Sequence, residues 1–128
     1  MKRSFRDEWV QRLRSGEYEQ ARCVLKNKDG AYCCLGVAGD VIDSDNWSKV
    51  THPVWVITPP HPDRDYVQAF AFLSDNNEEA LELLPYDVAS KYGLPRYLQE
   101  ELSELNDSGK TFSEIADWIE ANIEIEDD

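Results

Sequence analysis

The stretch GAYCCLGVAGDVI, residues 30–42, decides the fold. From Cys34 onward its apolar residues fall on one helical face, with Cys34, Ala38, Val41 and Ile42 at its centre and Leu35 and Val37 widening it. Gly36 and Gly39 each cost about 1 kcal/mol of helix propensity relative to alanine. A helix that keeps both needs another element pressed against its backbone, so this segment is expected to be the buried centre of the domain. Just before it, ARCVLK (21–26) and AYC (31–33) flank NKDG, and Asp29-Gly30 is a turn signal. The pattern predicts a β-hairpin that runs into the central helix.

Working outward, Phe5, Trp9 and Leu13 repeat at i, i+4 and i+8, with Ser4 in the N-cap position and Ser15-Gly16 as a stop. In the middle, VWVIT (54–58) reads as a strand and PPHPDRD (59–65) as a proline-stiffened loop. DYVQAFAFL (65–73) reads as a strand with Tyr66, Gln68, Phe70 and Phe72 on one face, while NNEEALELL (76–84) fits a short helix or an edge strand equally. Pro85 and Pro95 suit first-turn helical positions and Gly93 suits a stop. Tyr97, Leu98, Leu102 and Leu105 form an amphipathic stripe ending at NDSG. TFSE (111–114) is a capping box, followed at helical spacing by Phe112, Ile115, Ala116, Ile119 and Ile123. The acidic tail, 124–128, is expected to fray. The fold class expected is α+β in a single domain over 1–128: an N-terminal helix, a short antiparallel sheet, a buried central helix and a C-terminal helical pair.

A chain of 128 residues, 41% of them hydrophobic, is long enough to sustain a core without covalent staples. No run approaches the ~18 apolar residues that span a bilayer, and MKRSFRDEWV has no apolar signal region, so a soluble, cytoplasmic protein without membrane attachment is expected. Cys23, Cys33 and Cys34 make an odd count with two neighbours, which fits free thiols better than a disulfide framework. The net charge is −13 and is unevenly placed. Residues 1–28 hold eight Lys or Arg against four Asp or Glu, a balance of +4, which leaves −17 for the rest. Direct nucleic-acid binding is disfavoured by that excess. An acidic surface suits a basic protein face, or imitation of a nucleic acid toward a host protein that binds one.

Three groups could carry chemistry. Cys33 and Cys34 stand at a helix start, where the dipole can lower a thiol's pKa and produce a nucleophile. The base would be His52 or His61 and the orienting group Asn106 or Asp107; the competing reading is a pair of small thiols packed at a junction. In LNDSGKTF (105–112), Asn106 and Asp107 favour a turn, and Asp107 could coordinate a cation or hold a ligand hydroxyl; the competing reading is a plain connector between two helices. The SGK within it lacks the glycine pattern of a phosphate loop. The third group is basic: Arg12, Arg14 and Arg22, with Lys26 and Lys28, could cradle a small nucleotide-like anion, or could face the acidic final helix within the fold. Two distant histidines and an adjacent cysteine pair do not supply zinc spacing, so no metal and no cofactor is expected.

Further motifs carry a resemblance. Trp9, the run Leu13 to Gly16, Tyr18, the run Tyr32 to Val37, Leu84-Pro85, Val88, Gly93-Leu94 and the block Leu105 to Ile119 resemble a group of short bacteriophage and prophage proteins of unknown function. The match covers both ends and hardly touches 43–83, where Trp47, Trp55 and Tyr66 are candidates for a private partner surface. A more distant group shares a C-x-x-G helix start and a later ND pair, which would carry over to Cys33, Gly36, Asn106 and Asp107. The resemblance implies a phage-related origin and an α+β fold, and no reaction. The function expected is that of a phage or prophage accessory protein, a non-enzymatic binder modulating a host defence or nucleic-acid-processing protein. The alternatives are a protein that binds or sequesters a nucleotide-like anion and a cysteine-dependent enzyme.

Overall fold

The computed structural model describes residues 1–50, 54–57 and 64–126, for 54–57 and 64–67 the backbone alone. In chain order the elements are α1 (Arg3–Arg14), β1 (Lys26–Asn27), α2 (Cys34–Ile42), β2 (Trp47–Lys49), β3 (Val54–Ile57), β4 (Arg64–Val67), β5 (Ala69–Leu73), β6 (Glu79–Ala80), α3 (Tyr86–Ala89) with a 3-10 turn (Ser90–Tyr92), α4 (Arg96–Asp107) and α5 (Phe112–Asn122). The architecture is α+β. No described helix is long and apolar enough to cross a membrane.

The central helix lies where the glycines require it. Cys34 to Gly39 are all buried. α1 packs on α2 and α5, α2 on α4, and α4 on α5, so the glycine-bearing helix lies directly against two others, α1 and α4. Trp9, fully buried on α1, donates its indole N–H to the Cys34 carbonyl at 2.9 Å, which satisfies its one polar atom inside the core. Gly36 faces the Leu25 backbone, and Gly39 faces the side chains of Leu84 and Phe72. Both glycines are therefore sites of close approach.

β5 is the axis of the sheet, and every strand pairing among the described residues is antiparallel. β2 lies along one edge of β5 (Trp47 opposite Phe72, Lys49 opposite Phe70). β1 and β6 lie end to end along the other (Lys26 opposite Phe70, Ala80 opposite Phe72). β3 and β4 form a separate antiparallel pair. The strand expected over 65–73 is thus two strands interrupted at Gln68, and 76–84 resolves to the edge strand β6.

The expected hairpin at 21–33 contracts to a turn. Gly30, at φ +81°, and the Asn27–Ala31 and Gly30–Asn27 backbone bonds close it, but Lys26 meets Tyr32 only at a single bridge. The Asn27 side-chain oxygen accepts from the amides of Asp29 and Ala31, both at 3.0 Å, and this asparagine turn replaces the ladder. β1 spends its pairing on β5 instead. Ser4 does not cap α1 as expected, because that helix begins at Arg3 with Lys2 in the cap position and no side-chain cap bond. The tail is held further than expected: the Glu126 amide donates to Met1 O at 2.7 Å and the Arg3 amide to Glu126 O at 3.0 Å. Asp127 and Asp128 lie outside the described residues.

The capping box of α5 is formed in full. The Glu114 amide donates to Thr111 Oγ1 at 3.2 Å, and the Thr111 amide donates to Glu114 Oε1 at 3.1 Å. These bonds hold the Glu114 carboxyl below its ordinary 4.5, the backbone N–H of Thr111 contributing most. A depressed carboxyl adds stability that is fully present above pH 4.5 and is lost as pH falls through the lower folded value. Urea midpoints should therefore drop in that acidic window for the wild type and drop less for Glu114→Gln, which keeps the acceptor without titrating. Thr111→Ala should cost about 1 kcal/mol at neutral pH.

Candidate functional site

Four of the residues on which chemistry was expected, Cys33, Cys34, Asn106 and Asp107, meet near the N-terminus of α2. Cys33 is the N-cap of that helix, with its Sγ accepting from the Gly36 amide at 3.4 Å. The Cys34 thiol donates to Leu102 O at 3.5 Å, across to α4. Asn106 projects from the last turn of α4 into the same place and is fully buried. Its Oδ1 accepts from the Cys34 amide at 3.2 Å and from Gln20 Nε2 at 2.9 Å. Its Nδ2 donates to Ala21 O at 2.8 Å and to Asp107 Oδ1 at 3.2 Å. Asp107 Oδ1 also accepts from the Cys23 amide at 3.0 Å.

This geometry joins three segments that are remote in sequence. Asn106 spends both donors and two acceptor sites on the 20–23 loop, the α2 start and its own neighbour, so its amide is satisfied without a ligand. LNDSG is not a turn throughout, as its composition implied: Asn106 and Asp107 are helical, and the left-handed residue is Gly109 at φ +107°. A buried, fully bonded amide outweighs the turn preference that asparagine shows at exposed positions.

Burial disfavours the thiolate form of all three cysteines. Burial pushes the Cys33 pKa up to about 12, and although the Gly36 amide pulls it down, desolvation is the larger effect. Cys34 is raised well above its ordinary value, again first by burial and then by the neighbouring thiol. The helix-terminal amide of Gly36 does act on Cys33 Sγ, and the Cys34 amide is taken by Asn106, but neither offsets the loss of solvent. Cys23, half-buried, is raised to about 11 by burial and by the charge of Asp107. His52 and His61, the possible bases, lie outside the described residues. Among the described residues no group of three or more His, Cys, Asp or Glu could hold a metal ion.

The basic segment is largely engaged. Arg14 reaches α5, bonding Asp117 at 2.6 Å and also Glu120. Arg12 bonds Glu8 at 2.9 Å and lies 3.6 Å from Asp40, beside the hydroxyl of Tyr18. Arg22 is exposed, with a guanidinium nitrogen 3.5 Å from where a Gly109 side chain would begin. Lys26 stands over three rings, those of Phe70 (4.7 Å), Tyr32 (5.1 Å) and Trp47 (5.4 Å). Lys28 is exposed on the asparagine turn. Of the partner-surface candidates, Trp47 is half-buried, edge-on to Phe72 and Tyr32, with its indole N–H on Asp40 at 3.3 Å. Trp55 and Tyr66 stand opposite each other in the β3–β4 register, and their side chains lie outside the described residues.

Gln99 was missed by sequence reasoning, and Tyr18 was singled out only within the motif resemblance. Gln99 is buried on α4 and bonds both backbone groups of Leu84, accepting from its amide at 2.7 Å and donating to its carbonyl at 3.3 Å. Tyr18 donates to Asp40 at 2.7 Å while stacking edge-on against Tyr32, and burial, with Asp40, raises its pKa to about 12. The available signal for Gln99 was a polar residue between Leu98 and Leu102 on an otherwise apolar stripe.

The motif residues Trp9, Tyr18, Tyr32 to Val37 and Asn106 therefore form one connected structural unit. The sequence matches the family model for a domain of unknown function, DUF8296, over residues 1–123. The chain belongs to the DUF8296 family. No curated protein and no solved structure matches it. The match takes in the whole α2 junction and both C-terminal helices.

Proposed function

We propose that this DUF8296 protein is a non-enzymatic binding protein, a phage or prophage accessory factor that works in the bacterial cytoplasm by modulating a host protein. One observation carries the reading: the most chemically suggestive residues of the chain, Cys33, Cys34, Asn106 and Asp107, are committed to hydrogen bonds that hold the fold. A thiol held near pKa 12 has a vanishing thiolate fraction at neutral pH, which removes support from nucleophilic chemistry there. The charge points the same way, since −13 on 128 residues favours encounter with a basic protein face over a nucleic acid. The nucleotide-anion alternative loses two of its three arginines, because Arg12 and Arg14 already carry carboxylate partners. The phage origin rests on the motif resemblance.

Affinity capture from bacterial lysates with the full chain as bait tests the reading. The expected result is a saturable host protein with a basic surface, released as salt rises. Blank captures from several bacterial hosts at low salt would contradict it.

A further inference from the structure

The sheet carries a cationic row across its axis. Lys26 on β1 and Lys49 on β2 both stand opposite Phe70 of β5, one on either side. Directly opposed residues of an antiparallel sheet share a face, so two lysines flank one ring with their Cα atoms about 10 Å apart. Lys26 Nζ lies 4.7 Å from the centre of the Phe70 ring, 5.1 Å from that of Tyr32 and 5.4 Å from that of Trp47. Tyr32 and Trp47 meet edge-on at 5.9 Å, and all three rings are half-buried. Lys49 is exposed, as is Lys28 just past β1, whose amide donates to Gln68 O at 3.1 Å.

These lysines differ from the other cations of the chain. Arg12, Arg14, Lys91 and Lys110 have carboxylate partners. Lys26, Lys28 and Lys49 make no ion pair among the described residues. Asp40, the carboxylate that touches Trp47, is taken by the Tyr18 hydroxyl at 2.7 Å and lies 3.6 Å from Arg12. In a chain of net charge −13, three cations without carboxylate partners beside three rings make a local site for an anion. The rings set a second requirement, a flat π-face that can stack on them. An acidic peptide meets the lysines and leaves the rings bare, whereas a nucleotide meets both. A nucleic-acid strand would bring many phosphates to a surface whose net charge repels them, which leaves the single nucleotide.

We propose that the Lys26–Phe70–Lys49 row is a binding site for a free mononucleotide. The phosphate bridges Lys26 and Lys49 across Phe70, and the base stacks on the aromatic cluster of Tyr32 and Trp47. The site is independent of the host-protein reading and uses none of the arginines.

The test titrates the full chain, followed by amide shifts, with adenosine 5′-monophosphate. Ribose 5-phosphate, which lacks the base, adenosine, which lacks the phosphate, and a single-stranded adenine oligonucleotide are titrated in parallel. At about 0.15 M salt the nucleotide should bind with a Kd below about 1 mM. Ribose 5-phosphate and adenosine should each bind about tenfold more weakly or worse, and the oligonucleotide no more tightly than the nucleotide. Shifts should centre on Lys26, Lys49 and Phe70. Lys49→Gln, at an exposed position, should weaken nucleotide binding about tenfold with the melting temperature unchanged. Lys91→Gln, an equal change of net charge outside the row, should leave binding as it is. No binding of the nucleotide, equal binding of ribose 5-phosphate or adenosine, tighter binding of the oligonucleotide, shifts that map elsewhere, or equal effects of the two lysine variants would each overturn the proposal. The ligand series and the shift map need no variant, so a poorly folding Lys49→Gln leaves the test intact. Host capture neither supports nor removes this site, so its failure and that of the binder reading are told apart.

Discussion

Gly36→Ala is expected to lower stability by about 3 kcal/mol or more, although helix propensity alone favours alanine by about 1 kcal/mol. The added methyl would stand inside the Leu25 carbonyl oxygen and 2.8 Å from the carbonyl carbon. That carbonyl cannot swing away freely, because it accepts the Cys33 amide at 3.1 Å and precedes β1 directly. Relief requires backbone movement of α2 or of the strand, in a core packed close to crystal density. At about 4 °C per kcal/mol for a domain of this size, the melting temperature should fall by about 10 °C or more. Gly39→Ala is the control. Its methyl would meet the side-chain ends of Phe72 and Leu84 at 3.1 Å, and those can shift, so the steric cost should be about offset by the propensity gain. Thermal melts that rank Gly39→Ala as the worse substitution would contradict this account of the glycine pair.

Asn106→Ala should be the second severe lesion, at about 3–5 kcal/mol. It strips the Cys34 amide and the Ala21 carbonyl of their partner within the core and releases the 20–23 loop. Asn106→Asp keeps the shape and should fare no better. A carboxylate there has no donor for Ala21 O, and it would stand in a dry site beside Asp107. Both variants should show loss of cooperative unfolding midpoint in urea before any loss of partner affinity per folded molecule. A stable Asn106→Ala that has lost a biological activity would instead point to a functional amide.

The parts of the fold that the sequence revealed are those set by local chemistry. α2 begins at Cys34 and α5 begins after Thr111 because a cap and a periodic apolar face specify each without reference to distant residues. The demand of Gly36 and Gly39 for close neighbours was legible for the same reason, since glycine inside a helix has few other uses. Which elements would approach was not legible. Leu25 and Phe72 reach α2 through a sheet whose axis, β5, pairs with segments on both sides of it in sequence. Such register depends on non-local contacts. The candidate site was legible as a set of residues, with packing already one of the two readings of its thiols. Asn106 and Asp107 have turn composition, and only the buried surroundings turn them into a clamp. Cys33 has the position of an activated thiol, yet burial reverses the direction of its pKa shift.

Residue-resolved alkylation of the native protein tests the central claim, that the α2 junction holds the fold and performs no thiol chemistry. The folded chain would be exposed to iodoacetamide near neutral pH and each cysteine followed by mass spectrometry. A raised pKa leaves less thiolate at any neutral pH, so the sign of the expectation is slow labelling. Cys33 and Cys34 should stay unmodified until denaturant is added, with Cys23 reacting slowly and first. Labelling of Cys33 or Cys34 in the folded chain at the rate of a free thiol or faster would contradict the account.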